Sequence, residues 1–154
     1  VGSEEKAKLA RENGCDHTIL YRTEDFVARV REITDGKGVP VAYDSVGKAT
    51  LAKTLDCVSK RGYVVAFGNA SGKADPVDPL TLTQKGSIYL TRPTMADYVS
   101  TRQELLASAS ALFDVMGCGA VKVRMGQTFA LKDAASAHRA LESRQTTGST
   151  VLIP

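Results

Sequence analysis

The fold is decided by the run VPVAYDSVG at residues 39–47 together with the run YVVAFGN at residues 63–69. Each contains a short apolar segment that leads into a glycine, as is typical of strands buried in a parallel sheet. Between them, Leu51, Leu55 and Val58 recur at helical spacing. A strand, a helix and a second strand in this order predict a parallel βαβ unit.

The same alternation continues on both sides of this unit. Ser3 is placed to cap a helix that we expect to end near Gly14, and Asp133 is placed to cap another near the end of the chain. The full set of further predicted elements is helices at 3–13, 23–33, 80–84, 101–116 and 133–143, and strands at 15–21, 87–92, 124–131 and 149–153. This order predicts an α/β fold with a doubly wound, Rossmann-like parallel sheet.

In such a sheet a dinucleotide lies beyond the carboxyl ends of the strands. Gly2 and Ser3 stand where an NAD-preferring site usually has a carboxylate, and Lys6 follows within one helical turn. A helix N-terminus, a hydroxyl and an ammonium group suit a 2′-phosphate, which favours NADPH. The alternative is that Lys6 is an ordinary solvated helix residue, and Glu4 and Glu5 argue against a phosphate.

Two aromatic residues also stand at predicted strand ends. Tyr21 could cover an adenine ring, and Phe67 precedes the glycine that ends its strand. Aromatic residues at strand ends more often serve packing, so both interpretations stay open for these two.

Composition excludes several classes of protein. With 43% hydrophobic and 24% charged residues and a net charge of +3, the chain has the composition of a globular domain and no basic block for nucleic acid. No apolar run is long enough to span a membrane. Three well-separated cysteines predict neither a disulfide framework nor a zinc cluster, and they favour a reduced, cytoplasmic protein. His17 and His138 have no partners in any known catalytic spacing, so no catalytic residue is assigned.

A series of short motifs runs in order along the chain: YDSVG at 43–47, LDC at 55–57, RG at 61–62, FGNASG at 67–72, QKGS at 84–87, TRP at 91–93, LKDA at 131–134, and LESR at 141–144 before the terminal LIP. Taken together, these motifs resemble the quinone oxidoreductase (zeta-crystallin-like) branch of the medium-chain dehydrogenase/reductase superfamily. The resemblance extends over essentially the whole chain. The family's first strand, its glycine-rich turn and its GroES-like catalytic domain have no counterpart in this sequence.

The resemblance implies an NADPH-dependent, zinc-free enzyme that reduces quinones and dimerises through an edge strand, here residues 87–92. The positions that match the family's cofactor contacts are Gly2, Ser3, Lys6, Tyr21, Ser45, Phe67, Asn69 and Arg144. It also implies that residues 1–123 belong to the cofactor domain and that residues 124–154 return to the catalytic domain. We expect this chain alone to be inactive.

Two kinds of alternative function remain. The first is another reductase of the superfamily, acting on enoyl or alkenal substrates. The second is a module without enzymatic activity, either crystallin-like or a nucleotide or RNA binder. The modest charge makes nucleic acid an improbable partner.

Overall fold

The computed structural model describes residues 1–143 and 146–154. They form two compact units, Val1–Asp97 and Tyr98–Pro154. The first unit contains helices α1 (Glu4–Glu12), α2 (Phe26–Ile33), α3 (Leu51–Thr54) and α4 (Pro79–Gln84), strands β1 (Val39–Asp44), β2 (Val58–Ala66) and β3 (Tyr89–Thr91), and the start of α5 (Met95–Tyr98). The predicted α/β class is confirmed.

The sheet of the first unit is parallel, with strand order β1-β2-β3. In its register, Tyr43 pairs with Val65 and Val65 pairs with Thr91. The βαβ unit predicted from residues 39–69 is therefore present. Because the strands are parallel and in register, the segments that follow β1 and β2 lie side by side at one edge of the sheet.

One face of this sheet carries the core. Val64 is 0% exposed and Val58 is 1% exposed, and both pack in a cluster with Leu51, Leu55, Ala66 and Ile88. The opposite face is exposed: Tyr63 and Tyr89 pair across the strands and stack, with ring centroids 4.6 Å apart. Parallel sheets usually have both faces covered by other elements. In the first unit only the face that carries Val64 is covered.

The connection between β1 and β2 differs from the prediction. The helix expected at 51–58 ends at Thr54, and Val58 opens β2 by pairing with Val39. The register then shifts, because Val41 pairs with Tyr63, and Arg61 adopts a positive φ of 57° within the irregularity. Residues 61–62 thus belong to a bulge inside a longer strand, which bends the strand without ending its pairing with β1.

The strand predicted at residues 15–21 was wrong, because no strand forms there. The Val1 amino group donates to the Ile19 carbonyl at 2.8 Å, and the Tyr21 amide donates to the Val1 carbonyl at 3.3 Å. These two bonds are one rung of a parallel ladder with Val1 opposite Leu20. One such pair of residues does not form a strand, because a strand requires several consecutive residues to pair with a neighbouring chain segment.

The helix starts follow the capping residues in the sequence. Ser3 Oγ accepts from the Lys6 amide at the start of α1, Asp25 Oδ1 from the Val27 amide at α2, and Asp78 Oδ1 from the Leu80 amide at α4. Each bond satisfies one of the amides that the first helical turn leaves without a partner. The predicted strand at 87–92 is confirmed but shorter, and α5 was not predicted.

The second unit contains α6 (Arg102–Gly117), β4 (Met125–Ala130), a 3₁₀ helix (Leu131–Asp133), α7 (Ala134–Glu142) and β5 (Ser149–Ile153). A capping box between Thr101 and Glu104 starts α6. β4 and β5 pair in parallel on either side of α7, so this unit is a second βαβ arrangement. All four elements predicted after residue 100 are confirmed.

Cys57 lies between α3 and β2 and is 4% exposed. Burial raises the pKa of its thiol to about 11, although the nearby Arg31 guanidinium acts in the opposite direction. Cys15 and Cys118 are exposed, and all three cysteines are free thiols.

Candidate cofactor site

Four of the predicted cofactor residues, Gly2, Ser3, Lys6 and Tyr21, lie at the start of α1. A Cβ atom placed on Gly2 would lie 3.6 Å from Tyr21 Oη and 3.7 Å from Arg22 Nε. Ser3 caps the helix directly after this contact, and Lys6 lies in its first turn. The amino end of α1, a phenol and a guanidinium therefore surround one small region, which is a suitable environment for a phosphate group.

Arg22 is a residue that the sequence reasoning missed. Its side chain approaches Gly2 because the backbone bond between Tyr21 and Val1 brings the two segments together. The sequence signal that could have identified Arg22 as a site residue is its position immediately after Tyr21. Adjacent residues at the end of an extended segment can both reach a neighbouring helix start.

A cavity of about 350 Å³ lies beside β1, within the first unit. Two of the predicted residues, Tyr21 and Ser45, line it. The other lining residues include His17 and Ile19 from one segment and Asp44, Val46 and Thr50 from another. This volume is within the range of about 300–1,000 Å³ found for small-molecule sites. The cavity thus joins two predicted residues that are 24 positions apart in the sequence.

Asp44 organises the end of β1, and it too was missed as a site residue. Its side chain is 5% exposed and accepts bonds from the Val46 amide at 2.8 Å and the Gly47 amide at 2.9 Å. The hydroxyls of Thr50 and Thr54 each donate to it at 2.8 Å. The carboxylate therefore fixes the turn that presents Ser45 and ties it to α3.

The charge of Asp44 is maintained by these bonds. Burial raises its pKa, but the bonds from the Gly47 amide, the two threonine hydroxyls and the Val46 amide together outweigh burial, so the pKa lies below the ordinary value. A carboxylate with several donors stays ionised even when it is buried. Asp44 is thus a fixed anion that acts on the turn through hydrogen bonds.

The ends of β1 and β2 are fastened to each other. A Cβ atom on Gly68 would lie 2.3 Å from the Ser45 carbonyl oxygen, so only glycine fits. Ser71 Oγ donates to the Val46 carbonyl at 2.7 Å and accepts from the Ala49 amide at 2.9 Å. We call residues 44–50 and 66–72 together the strand-end clamp, because these contacts hold the two loops as one body.

Phe67 and Asn69 both lie in the strand-end clamp, and neither lines the cavity beside β1. Phe67 is 51% exposed, so it is not a core residue. Its amide donates to the Asp44 carbonyl at 2.9 Å, which sets it next to Ser45. Arg144 lies outside the described residues. The structure therefore brings Gly2 to Tyr21, and Ser45 to Phe67 and Asn69.

Within residues 1–143 and 146–154, no group of three His, Cys, Asp or Glu side chains is arranged to hold a metal ion. His17 is exposed at the cavity beside β1, and His138 lines a separate cavity in the second unit with Leu141 and Leu152. In the part of the chain that the structure describes, no helix has the length and apolar character needed to cross a bilayer.

Comparisons with known proteins identify the family to which the chain belongs. Residues 13–152 match the model of a family described as zinc-binding dehydrogenase. Over its whole length the chain is 51% identical to a quinone oxidoreductase from Pseudomonas aeruginosa, of which it covers 47%. It is 49% identical to a 2-haloacrylate reductase from a Burkholderia species, of which it covers 46%. The chain thus spans about half the length of the curated relatives it matches.

A solved structure shows the same fold. The Escherichia coli quinone oxidoreductase complexed with NADPH superposes with a TM-score of 0.95 at 47% identity, over 100% of this chain and 48% of that one. The two proteins are therefore similar in sequence as well as in fold. The described parallel sheets therefore have the fold of the corresponding half of that enzyme.

Proposed function

Because this chain belongs to the zinc-binding dehydrogenase family, we propose that it is the cofactor-binding part of an NADPH-dependent quinone oxidoreductase. The relatives named quinone oxidoreductase and the solved complex with NADPH support this proposal. The observation that carries it is the meeting of Gly2, Tyr21 and Arg22 at the amino end of α1.

The residues fit NADPH in a definite order. Ser3, Lys6, Tyr21 and Arg22 would hold the adenosine 2′-phosphate, because a helix start and cations favour an anion. Ser45, Phe67 and Asn69 would lie along the nicotinamide end, where Gly68 allows the backbone of the strand-end clamp to pack closely. Arg144 would add a further phosphate contact. When bound, the cofactor supplies the hydride for the quinone, and the chain supplies position and electrostatics.

We propose a zinc-independent reaction, although the family is described as zinc-binding. Within the part of the chain that the structure describes, no cluster of His, Cys, Asp or Glu side chains is arranged as a ligand set for zinc. The residues that would contact the quinone belong to the part of the relatives that this chain does not span. No proton donor is assigned here for the same reason.

The test is the choice between NADPH and NADH in the full-length protein. Lys6→Ala should weaken NADPH binding roughly tenfold to a hundredfold, since a charged hydrogen bond to phosphate is lost, while NADH binding stays within about twofold. Arg22→Ala should act in the same direction. Isothermal titration calorimetry with each nucleotide measures both effects.

Lys8→Ala is the matched control, because Lys8 lies on the same helix and pairs with Glu12 at 3.9 Å in an exposed position. It should leave both affinities unchanged. Equal losses of NADPH and NADH affinity in Lys6→Ala would remove Lys6 from the phosphate site. Failure of the unaltered protein to bind NADPH would overturn the proposed function.

A second candidate is reduction of activated alkenes, which the similarity to a 2-haloacrylate reductase favours. This chain matches the same part of both kinds of relative, so its sequence does not distinguish the two activities. Turnover of a quinone and of 2-haloacrylate by the full-length protein separates the two. A function in RNA binding would instead require tight binding with a steep dependence on salt.

We propose that the protein is a homodimer formed at the free edge of β3, residues 87–92. In the described residues, β3 pairs only with β2, so its outer edge has unpaired backbone groups. Ile88 and Leu90 do not argue for this interface, because they pack with the core. Sedimentation of a Leu90→Pro variant, which places a residue without an N–H on this strand, should show monomer if the edge pairs.

The three free thiols support a reduced, cytoplasmic location. Fractionation of the native host should then find the protein with the soluble cytoplasmic enzymes. Recovery with an oxidising compartment would contradict this part of the proposal.

A further inference from the structure

A large cavity lies at the amino ends of the strands in the first unit, and its volume is about 830 Å³. Besides Arg31 of α2, its walls are the segments that lead into the three strands, namely residues 36–37, 55–56, 58–60 and 84–86. The proposed cofactor site is at the carboxyl ends of the same parallel strands, which form the other edge of the sheet. Of the predicted cofactor residues that the structure describes, none lines this cavity.

Positive charge is concentrated around the cavity. Its charged lining consists of four cations and one carboxylate, which are Arg31, Lys37, Lys60 and Lys85 with Asp56. Three positive charges are therefore in excess, as many as the net charge of +3 on the whole chain. A cleft lined mainly by charges of one sign attracts ligands of the opposite sign. The charge distribution thus favours an anion with several negative charges.

Two of the four cations are already held by the protein. Arg31 Nη2 donates to the Asp56 carbonyl at 2.7 Å, and Arg31 Nη1 donates to the Gly36 carbonyl at 2.9 Å. The guanidinium therefore connects the loop before β1 with the segment before β2. Lys85 forms an ion pair with the Asp56 carboxylate. These contacts join three of the segments that form the cavity wall.

The other two cations, Lys37 and Lys60, are available to a ligand. Both are exposed, and within the described residues neither forms an ion pair. They reach the cavity from different segments, because Lys37 precedes β1 and Lys60 lies in the irregular part of β2. An ammonium group has three donors and binds phosphate oxygens as a compact charge.

The segments around the cavity also adopt unusual backbone conformations. In the part of the chain that the structure describes, the residues other than glycine with a positive φ are Asp35 at 50°, Arg61 at 57° and Ser87 at 54°. Each is adjacent in sequence to a residue that lines the cavity. Such conformations persist only where the surrounding structure determines them, and they cluster at ligand sites. The walls are therefore ordered before any ligand binds.

From this geometry we propose that the cavity binds a small molecule with two or more phosphate groups. Lys37 and Lys60 bind the phosphate oxygens, and the positive potential of Arg31 adds to their attraction. A ligand with several negative charges matches the excess of three positive charges, whereas a single carboxylate would leave most of it unbalanced. Because the walls are already joined to each other, little conformational entropy is lost on binding.

The experiment titrates the full-length protein, saturated with NADPH, with inorganic pyrophosphate and follows binding by calorimetry. Pyrophosphate should bind saturably and at least about tenfold more tightly than acetate, which carries one charge. Lys37→Gln and Lys60→Gln should each weaken pyrophosphate binding about tenfold, since a charged hydrogen bond is lost. Lys60→Arg keeps the charge and should stay within about threefold of the unaltered protein.

Lys8→Gln is the matched control, because it removes the same charge from an exposed lysine that does not line the cavity. It should leave pyrophosphate affinity unchanged. All the substituted lysines are exposed, so thermal unfolding should show that each variant is folded.

The proposal is overturned if pyrophosphate does not bind, if acetate binds equally well, or if Lys37→Gln and Lys60→Gln retain full affinity. Competition between NADPH and pyrophosphate would also overturn it, by placing pyrophosphate in the cofactor site. A short RNA that displaced pyrophosphate and bound more tightly would assign the cavity to a polynucleotide instead. Because NADPH binding is measured separately, failure here leaves the proposed function untouched.

Discussion

Residues 44–50 and residues 15–21 both line the cavity beside β1, yet they are held in different ways. The first segment is fixed by the buried Asp44 and by its bonds to residues 66–72. The second is held by one ladder rung to Val1 and by bonds on the surface, such as Arg11 to Thr18 at 2.5 Å. The segment that carries the proposed nicotinamide contacts is therefore fixed by bonds within this chain, whereas the segment that carries Tyr21 is held by few bonds.

The difference has a topological cause. The elements around Asp44 are consecutive in the chain and pair with each other, as β1 and β2 do through α3. Residues 15–21 face the outer edge of β1 across a cavity instead of a strand. In the common order of a dinucleotide-binding sheet, a central strand fills that place. We propose that the remaining part of the full-length protein provides it.

Removal of the Asp44 carboxylate should have the largest effect on this contrast. Asp44→Ala leaves two amides and two buried hydroxyls without their acceptor, so the free energy of unfolding should fall by about 3 kcal/mol or more. Asp16→Ala, in the weakly held segment, should change it by less than about 0.5 kcal/mol because Asp16 is exposed. Urea denaturation of both variants measures the difference. Equal effects would mean that the two segments are held alike.

A methyl group on Gly68 should have the next largest effect. Gly68→Ala forces the Ser45 carbonyl and the new Cβ apart, which should cost about 1–3 kcal/mol and weaken NADPH binding. Gly117→Ala is the matched control, since a Cβ atom there has no neighbour within 4 Å. Thermal unfolding and nucleotide titration report the two effects. A Gly68→Ala variant with unaltered stability would show that the clamp is pliable.

A single donor to Asp44 should have the smallest effect, together with a distinctive pH dependence. Thr54→Val removes one hydrogen bond to the carboxylate and should cost about 1.5 kcal/mol near neutral pH. Because the folded pKa of Asp44 is lowered, its stabilising contribution is present above the unfolded value of about 3.9 and is lost as the pH falls through the folded pKa.

Without the Thr54 donor, the folded pKa of Asp44 rises. Acid unfolding of Thr54→Val should then begin at a higher pH than in the unaltered protein. Circular dichroism across an acid titration follows this change, with the exposed Thr94→Val as the control. Identical acid midpoints for both variants would exclude Thr54 as a donor that matters to Asp44.

Local sequence signals predicted most of the elements. β1 lies within the run at residues 39–47 from which a strand was predicted, because VPVAYD is an apolar run with a polar end. Three helices begin after the capping residues Ser3, Asp25 and Thr101, whose side chains each accept from an amide within the next four residues. Such signals need no information from the rest of the fold, so the sequence alone contains them.

The errors arose where distant pairing decides the structure. Val58 has the spacing of a helix residue relative to Leu51 and Leu55, but it pairs with Val39 and therefore belongs to β2. Residues 15–21 have the composition of a strand, but they lack a ladder beyond Val1. In the site, Asp44 and Arg22 were missed because their roles depend on Thr54 and Gly2, contacts that no spacing rule foretells.

The protected thiol of Cys57 turns the chain into its own folding reporter. A maleimide reacts with thiolates, so in the native protein it should modify Cys15 and Cys118 and leave Cys57 untouched. A third adduct, seen as a further mass increment, can then form only after the first unit has opened. Counting adducts over time would read the opening rate of that unit without any engineered label.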